Sequence, residues 1–236
     1  FYRKQGNMKK IVSALSVLLI ATGLQAQDAN ALIQKVKQKL DQVKDYEAKG
    51  KMKTNVAFLK VPVADITLYF KKPEKIKFKT AKGVSFIPKG AVSINLNNIL
   101  GNGKYTALDA GTDKIGATVV RVIKLLPEDD NSDVVLSTLY IDETNLLVRK
   151  TKTTTKENGT YELELTYGKY AAYSLPDKII FSFNTKDYKL PKGVTFDFDD
   201  GSAKKPVDKE KNKKGKAEIV FSSYKINQGV ADAVFL

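Results

Sequence analysis

Asn158-Gly159-Thr160-Tyr161-Glu162-Leu163-Glu164-Leu165-Thr166-Tyr167 decides the fold class. Tyr161, Leu163, Leu165 and Tyr167 alternate with Thr160, Glu162, Glu164 and Thr166. A period of two puts the apolar side chains on one face of a strand and the polar ones on the other. Asn-Gly allows the positive backbone angles of a tight turn. Asn158-Gly159-Thr160 therefore reads as a hairpin turn rather than a glycosylation signal, joining this strand to the run from Leu146 to Lys156. Beyond Leu175-Pro176-Asp177, Ile179, Phe181 and Phe183 form the next inward row.

The same period extends in both directions. Met52, Thr54, Val56 and Phe58 share one face. Ile66, Leu68 and Phe70 share another, and Ile76 and Phe78 alternate with Lys75, Lys77 and Lys79. Pro62 and Pro73 punctuate these runs. Ala117 to Leu126 and Val134 to Ile141 read as strands around the acidic turn Glu128-Asp129-Asp130-Asn131. Phe196 and Phe198 mark a further strand, and Ile219 and Phe221 begin the last. About ten short strands with turns every roughly 8–12 residues predict a sandwich or barrel, not βαβ units. The spacing of Leu32, Ile33, Val36, Leu40 and Val43 predicts one amphipathic helix over 29–46, capped by Asp28 or Asn30. Residues 83–115, rich in Gly, Asn and Asp, read as a long irregular segment, with Leu96, Ile99 and Leu100 as a short helical turn. Long segments of that kind often serve as lids.

Met8-Lys9-Lys10, the apolar run from Ile11 to Ala21 and Leu24-Gln25-Ala26 have the charge–apolar–small order of a cleaved secretory signal. The apolar run is shorter than the about 20 residues a membrane span needs. The expected division is 1–26 as signal peptide with an upstream extension, Phe1 to Asn7, and 27–236 as a single exported, soluble, periplasmic domain starting at Gln27. Residues 1–26 carry four cations, Arg3, Lys4, Lys9 and Lys10, and no acid, so the net charge falls from +14 to +10 on cleavage. The remaining cations are lysines except for Arg121 and Arg149. Readers of nucleic acid favour arginine forks, so export and lysine bias argue against that partner.

The chain has no Cys and no His. Thiolate chemistry, disulfides and a Ser-His-Asp triad are excluded, and the commonest general base and metal ligand are missing. No catalytic residue, metal or cofactor is expected. Asp197-Phe198-Asp199-Asp200-Gly201 lacks the spacing and terminal Glu of a calcium loop and reads as a solvated turn. Glu162 and Glu164 belong to the polar face of their strand.

Two features carry functional expectations. The inward rows are rich in Phe, Ile and Leu. They either fill a solid core or line a trough for acyl chains, which gain about 0.8 kcal/mol per buried CH₂. The lining candidates are Val56, Phe58, Ile66, Leu68, Phe70, Ile76, Phe78, Leu163, Leu165, Ile179, Phe181 and Phe183. The second feature is the basic stretch from Lys204 to Lys216, which reads as an extended, mobile insertion between the last two strands. Its Lys209, Lys211, Lys213 and Lys214 are docking candidates for an anionic membrane surface or receptor.

The order of signal peptide, helix, paired strands, irregular covering segment and long meander resembles the LolA-type family of periplasmic lipoprotein carriers and its lipid-binding relatives. Ile141-Asp142-Glu143-Thr144-Asn145-Leu146-Leu147-Val148-Arg149-Lys150 resembles the family's acidic-turn step into a strand. Asn158-Gly159, Tyr167 and Leu175-Pro176-Asp177-Lys178-Ile179 resemble its next hairpin and Leu-Pro strand start. The resemblance implies a mainly β fold: a strongly curved antiparallel sheet forming an incomplete β-barrel, covered by an N-terminal helix and an irregular lid. It further implies a monomeric carrier that moves the acyl chains of lipoproteins or lipids towards the outer membrane. An inner-membrane donor, an outer-membrane acceptor and transient membrane contact go with that role. Better-known carriers latch the lid with an arginine on an early strand. The matching strands here offer Lys51 and Lys53, and Arg121 and Arg149 lie later. A sensory or regulatory lipid-binding module of the same fold is the alternative, and an exported enzyme is a third class that the missing His and Cys weaken.

Overall fold

The computed structural model describes residues 28–56, 59–60, 63–73, 75–80, 104–157, 159–184 and 214–236. One helix, α1 (28–40), precedes eleven strands. These are β1 (Asp45–Val56), β2 (Leu59–Lys60), β3 (Ala64–Lys71), β4 (Lys75–Thr80), β5 (Tyr105–Ile115), β6 (Thr118–Pro127), β7 (Val134–Asp142), β8 (Leu147–Thr155), β9 (Gly159–Thr166), β10 (Lys178–Asn184) and β11 (Lys214–Ile226). All pair antiparallel in one sheet of order β4-β3-β1-β11-β10-β9-β8-β7-β6-β5, and β2 pairs with the end of β1. The chain meanders from β5 to β11, and β11 then returns beside β1. The sheet does not close: among the described residues β4 and β5 are its edges. It is an incomplete β-barrel with α1 on its apolar face.

That face is built by alternation. Ile66 and Leu68 on β3, Leu163 and Leu165 on β9, and Ile179, Phe181 and Phe183 on β10 are buried in one cluster with α1, and Phe70 on β3 is buried against the Tyr46 ring. Ala29, Leu32, Ile33, Val36 and Leu40 form the buried stripe of α1, while Lys35 is exposed. Each large side chain in the stripe gains about 1.5–3 kcal/mol by leaving water.

The helix ends at residue 40, short of the predicted 46. A side chain from the far end of the sequence stops it. Asn227 Oδ1 accepts from the backbone N–H of Lys44 at 2.7 Å, and Asn227 Nδ2 donates to the Gln42 carbonyl at 2.9 Å. These bonds fix a turn that lets β1 begin at Asp45. Val43 is still buried, so the apolar stripe outlasts the helix.

The predicted irregular segment needs a second correction. Residues 105–115 of it are strand β5, and most of the rest lies outside the described residues. Asp109, Gly111 and Asp113 looked like loop chemistry because β5 carries a bulge between Asp109 and Thr112. Gly111 takes a φ of 86° there, and its N–H donates to Asp109 Oδ1 at 2.8 Å. The last strand begins at Lys214, not near Ile219. Lys214 to Lys216 therefore belong to β11, and the rest of the predicted insertion lies outside the described residues. Phe196, Phe198, the Asp197–Gly201 turn, residues 1–26 and the Leu96–Leu100 turn lie outside the described residues.

Candidate functional site

The concave face is crossed by transverse rows in which inward side chains are direct cross-strand partners. One row runs Tyr46, Phe70 and Ile76 across β1, β3 and β4. Another runs Leu165, Ile179, Ile219 and Met52 across β9, β10, β11 and β1. Ten of the twelve proposed lining residues have described side chains. Eight of these are buried, and Ile76 and Phe78 are partly buried against the same cluster. The Val56 side chain and all of Phe58 lie outside the described residues, as do Lys209, Lys211, Lys213 and the Lys214 side chain.

The rows pack against one another and against α1. Leu163 is 0% exposed and Phe181 1%. A cavity of about 40 Å³ lies at one end, between Leu40, Val43, Tyr46, Phe70, Leu175 and Phe221. That is room for a water or two, far below the roughly 300 Å³ at which ligand pockets begin. Aromatic rings finish this end: Tyr46 meets Phe70 at 5.2 Å and Tyr224 at 5.6 Å, and Tyr224 meets Tyr170 at 4.9 Å. Tyr224 donates its hydroxyl to the Pro176 carbonyl at 2.7 Å. Burial raises the Tyr46 and Tyr224 phenols well above their ordinary range, so both stay neutral. A second hollow, of about 220 Å³, sits apart from this face, where the segment around Gln228 to Val234 passes Asp45, Glu47 and Tyr69.

The charged groups that position α1 were not legible as a site. Arg121 on β6 gathers three carboxylates: Asp28 at the start of α1 at 2.9 Å, Asp109 on β5 at 3.1 Å, and Glu143 in the β7–β8 turn at 3.4 Å. Asp109 is the buried member, its side chain only 9% exposed. The β5 bulge aims it, since one carboxylate oxygen takes the Gly111 N–H and the other takes Arg121. At its other end α1 is held by Lys39, whose Nζ donates to the Asn145 carbonyl at 2.7 Å.

The β7–β8 turn that receives α1 has its own support. Tyr140 pairs with Lys150 and Ile141 with Val148, which leaves Arg149 as the extra residue of a bulge. Arg149 donates to Asp142 Oδ2 at 2.9 Å and lies 5.6 Å from the centre of the Tyr167 ring. Asp142 also accepts from the Asn145 backbone at 3.1 Å and from its side-chain amide at 2.9 Å. Burial alone would raise the Asp142 pKa, but the hydrogen bonds from Asn145 and Arg149 outweigh it and hold the carboxyl below its usual value. Burial lowers the Lys39 pKa, with Asp142 opposing. The one available signal was composition: two arginines kept among so many lysines mark places where a planar fork is needed.

Among the described residues no three His, Cys, Asp or Glu side chains form a group able to hold a metal. No helix among them is long and apolar enough to cross a membrane.

Solved structures place this geometry. A putative outer membrane lipoprotein-sorting protein domain from Vibrio parahaemolyticus superimposes with a TM-score of 0.58 at 11% identity, covering 89% of this chain and 97% of its own. A LolA superfamily protein from Nitrosomonas europaea gives 0.50 at 10%, covering 86% and 96%. The chain has a LolA-type fold. A DUF1329 family protein from Desulfovibrio piger shares it, with a TM-score of 0.55 at 12% identity over 90% and 97%. No family profile matches the sequence, and no curated protein does. The likeness is therefore one of architecture: a LolA-type sheet wrapped around an apolar face.

Proposed function

We propose that residues 27–236, released by cleavage of the 1–26 signal, act in the periplasm as a non-catalytic carrier of acyl chains of lipoproteins or lipids. The observation that carries this reading is the LolA-type sheet whose continuous apolar face is covered, among the described residues, by one separately tied helix. Among the described residues the closed rows leave no room for an acyl chain, so loading between them requires α1 to lift. The ties suit that movement. Asp28, the α1 member of the Arg121 cluster, has a side chain 62% exposed, and exposed ion pairs contribute only about 0–1 kcal/mol each. The sheet beneath is held by backbone ladders and stays put. Handover runs from an inner-membrane donor to an outer-membrane acceptor, and Lys209, Lys211, Lys213 and Lys214 supply electrostatic steering towards anionic surfaces.

Native mass spectrometry of protein purified from its own periplasm tests this reading. The expected result is a chain starting at or near Gln27, with a non-covalent acyl-bearing companion released at higher collision energy. A cytoplasmic protein that retains Met8 and carries no lipid contradicts it.

A further inference from the structure

One row of the concave face runs Ile123, Leu139, Thr151, Leu163, Phe181, Ala217 and Thr54, each residue the direct partner of the next across β6 to β11 and β1. Thr151 interrupts it between Leu139 and Leu163, and all three are 0% exposed. Its hydroxyl has no hydrogen-bond partner among the described residues. The neighbouring row places Ser137, Thr153 and Tyr161 side by side, and there the hydroxyls satisfy one another. Ser137 Oγ and Thr153 Oγ1 are 3.1 Å apart, and Thr153 bonds the Tyr161 side chain. Thr155, one step further along β8, donates to the Gly159 carbonyl at 3.2 Å. So β8 turns a strip of hydroxyls into an interior that its neighbours make from Leu, Phe and Ile, and one of those hydroxyls is left over.

Valine has the shape of threonine and the same liking for strands. At position 151 it would pack equally well and leave no unsatisfied donor, whose desolvation is unfavourable. We infer that Thr151 is a ligand contact, donating its hydroxyl to the carbonyl oxygen of an acyl-ester linkage that enters the interior with the chains. The ligand class is then a diacyl glycerol ester, not a bare hydrocarbon. This inference rests on the carrier reading and adds the polar part of the ligand to it. Thr54, the other unpartnered hydroxyl of the row, stands four strands from β8, about 19 Å along the sheet, out of reach of the same carbonyl.

The test uses two vesicle preparations of phosphatidylglycerol with 16-carbon chains, one ester-linked and one ether-linked. They differ only in the carbonyls. Lipid loaded per protein at equilibrium is the readout. The parent should load the ester about threefold to tenfold better. Thr151→Val should load both equally and melt at a higher temperature than the parent, and Thr54→Val should keep the ester preference. An ester-linked diacylglycerol group is common to free lipids and lipid-modified proteins. The same pair of linkages on an acylated peptide shows which source is preferred. Equal loading of ester and ether by the parent, from vesicle and peptide alike, overturns the inference while leaving the carrier reading intact. A lower melting temperature for Thr151→Val also overturns it, because the hydroxyl would then already be satisfied. If neither lipid nor peptide loads at all, both readings fall together.

Discussion

Asp142 is a buried carboxylate whose charge supports the β7–β8 turn beneath α1. It is 3% exposed and accepts three hydrogen bonds, one of them from Arg149. Its folded pKa lies below the unfolded value of about 3.9. Its contribution to stability is therefore complete above that pH and is lost as the pH falls through the folded pKa. Asp142→Asn should cost roughly 1–3 kcal/mol at pH 7, because Arg149 loses its anionic partner in a half-buried site. Thermal melts between pH 7 and pH 2 should show the gap between parent and variant closing only at the acid end. A gap that stays constant across that range contradicts the assignment. None of this was legible from the residues around 142. The segment looked like an acidic turn, and the bulge that swings Arg149 onto Asp142 depends on the register between β7 and β8, which sequence alternation does not give.

At the scale of elements, most strands and the covering helix were legible, and β5 and the end of α1 were not. Period-two alternation located β3, β4, β9 and β10 because their inward and outward residues differ sharply in polarity. The same rule missed β5, where Ala110 and Gly111 break the alternation at a bulge. Helical spacing let α1 run on to 46, because Val43 continues the stripe while Asn227, far away in sequence, ends the helix. Those cross-chain ties define how α1 moves. The chain has no cysteine, so Lys39→Cys and Asn145→Cys give a unique pair for a short bifunctional cross-linker. Fixing α1 to the β7–β8 turn should slow acyl-ligand uptake by tenfold or more while leaving the far-ultraviolet circular dichroism unchanged, an order of magnitude corresponding to about 1.4 kcal/mol in the opening step. Uptake at the parental rate in the cross-linked protein would show that α1 is not the moving cover.

For the whole molecule, sequence pattern identified the apolar face and left open whether it encloses space. Alternation tells which side a residue takes, and volume depends on sheet curvature and on how far α1 sinks. Among the described residues the closed rows fill one another, beside a hollow of about 40 Å³ at one end. The account therefore stands on opening. Phe181 sits in the middle of the face, 1% exposed and in ring contact with Tyr161 and Phe183 at 5.5 and 5.3 Å. The chain has no tryptophan, so Phe181→Trp places a single reporter there. Titrating that variant with a soluble acylated peptide is the most direct test that the interior takes up acyl chains. The account predicts a saturable change in emission at one peptide per protein, absent with the same peptide lacking its acyl chains. Emission that stays flat to saturating acylated peptide, in a variant that melts like the parent, would mean a solid core and contradict it.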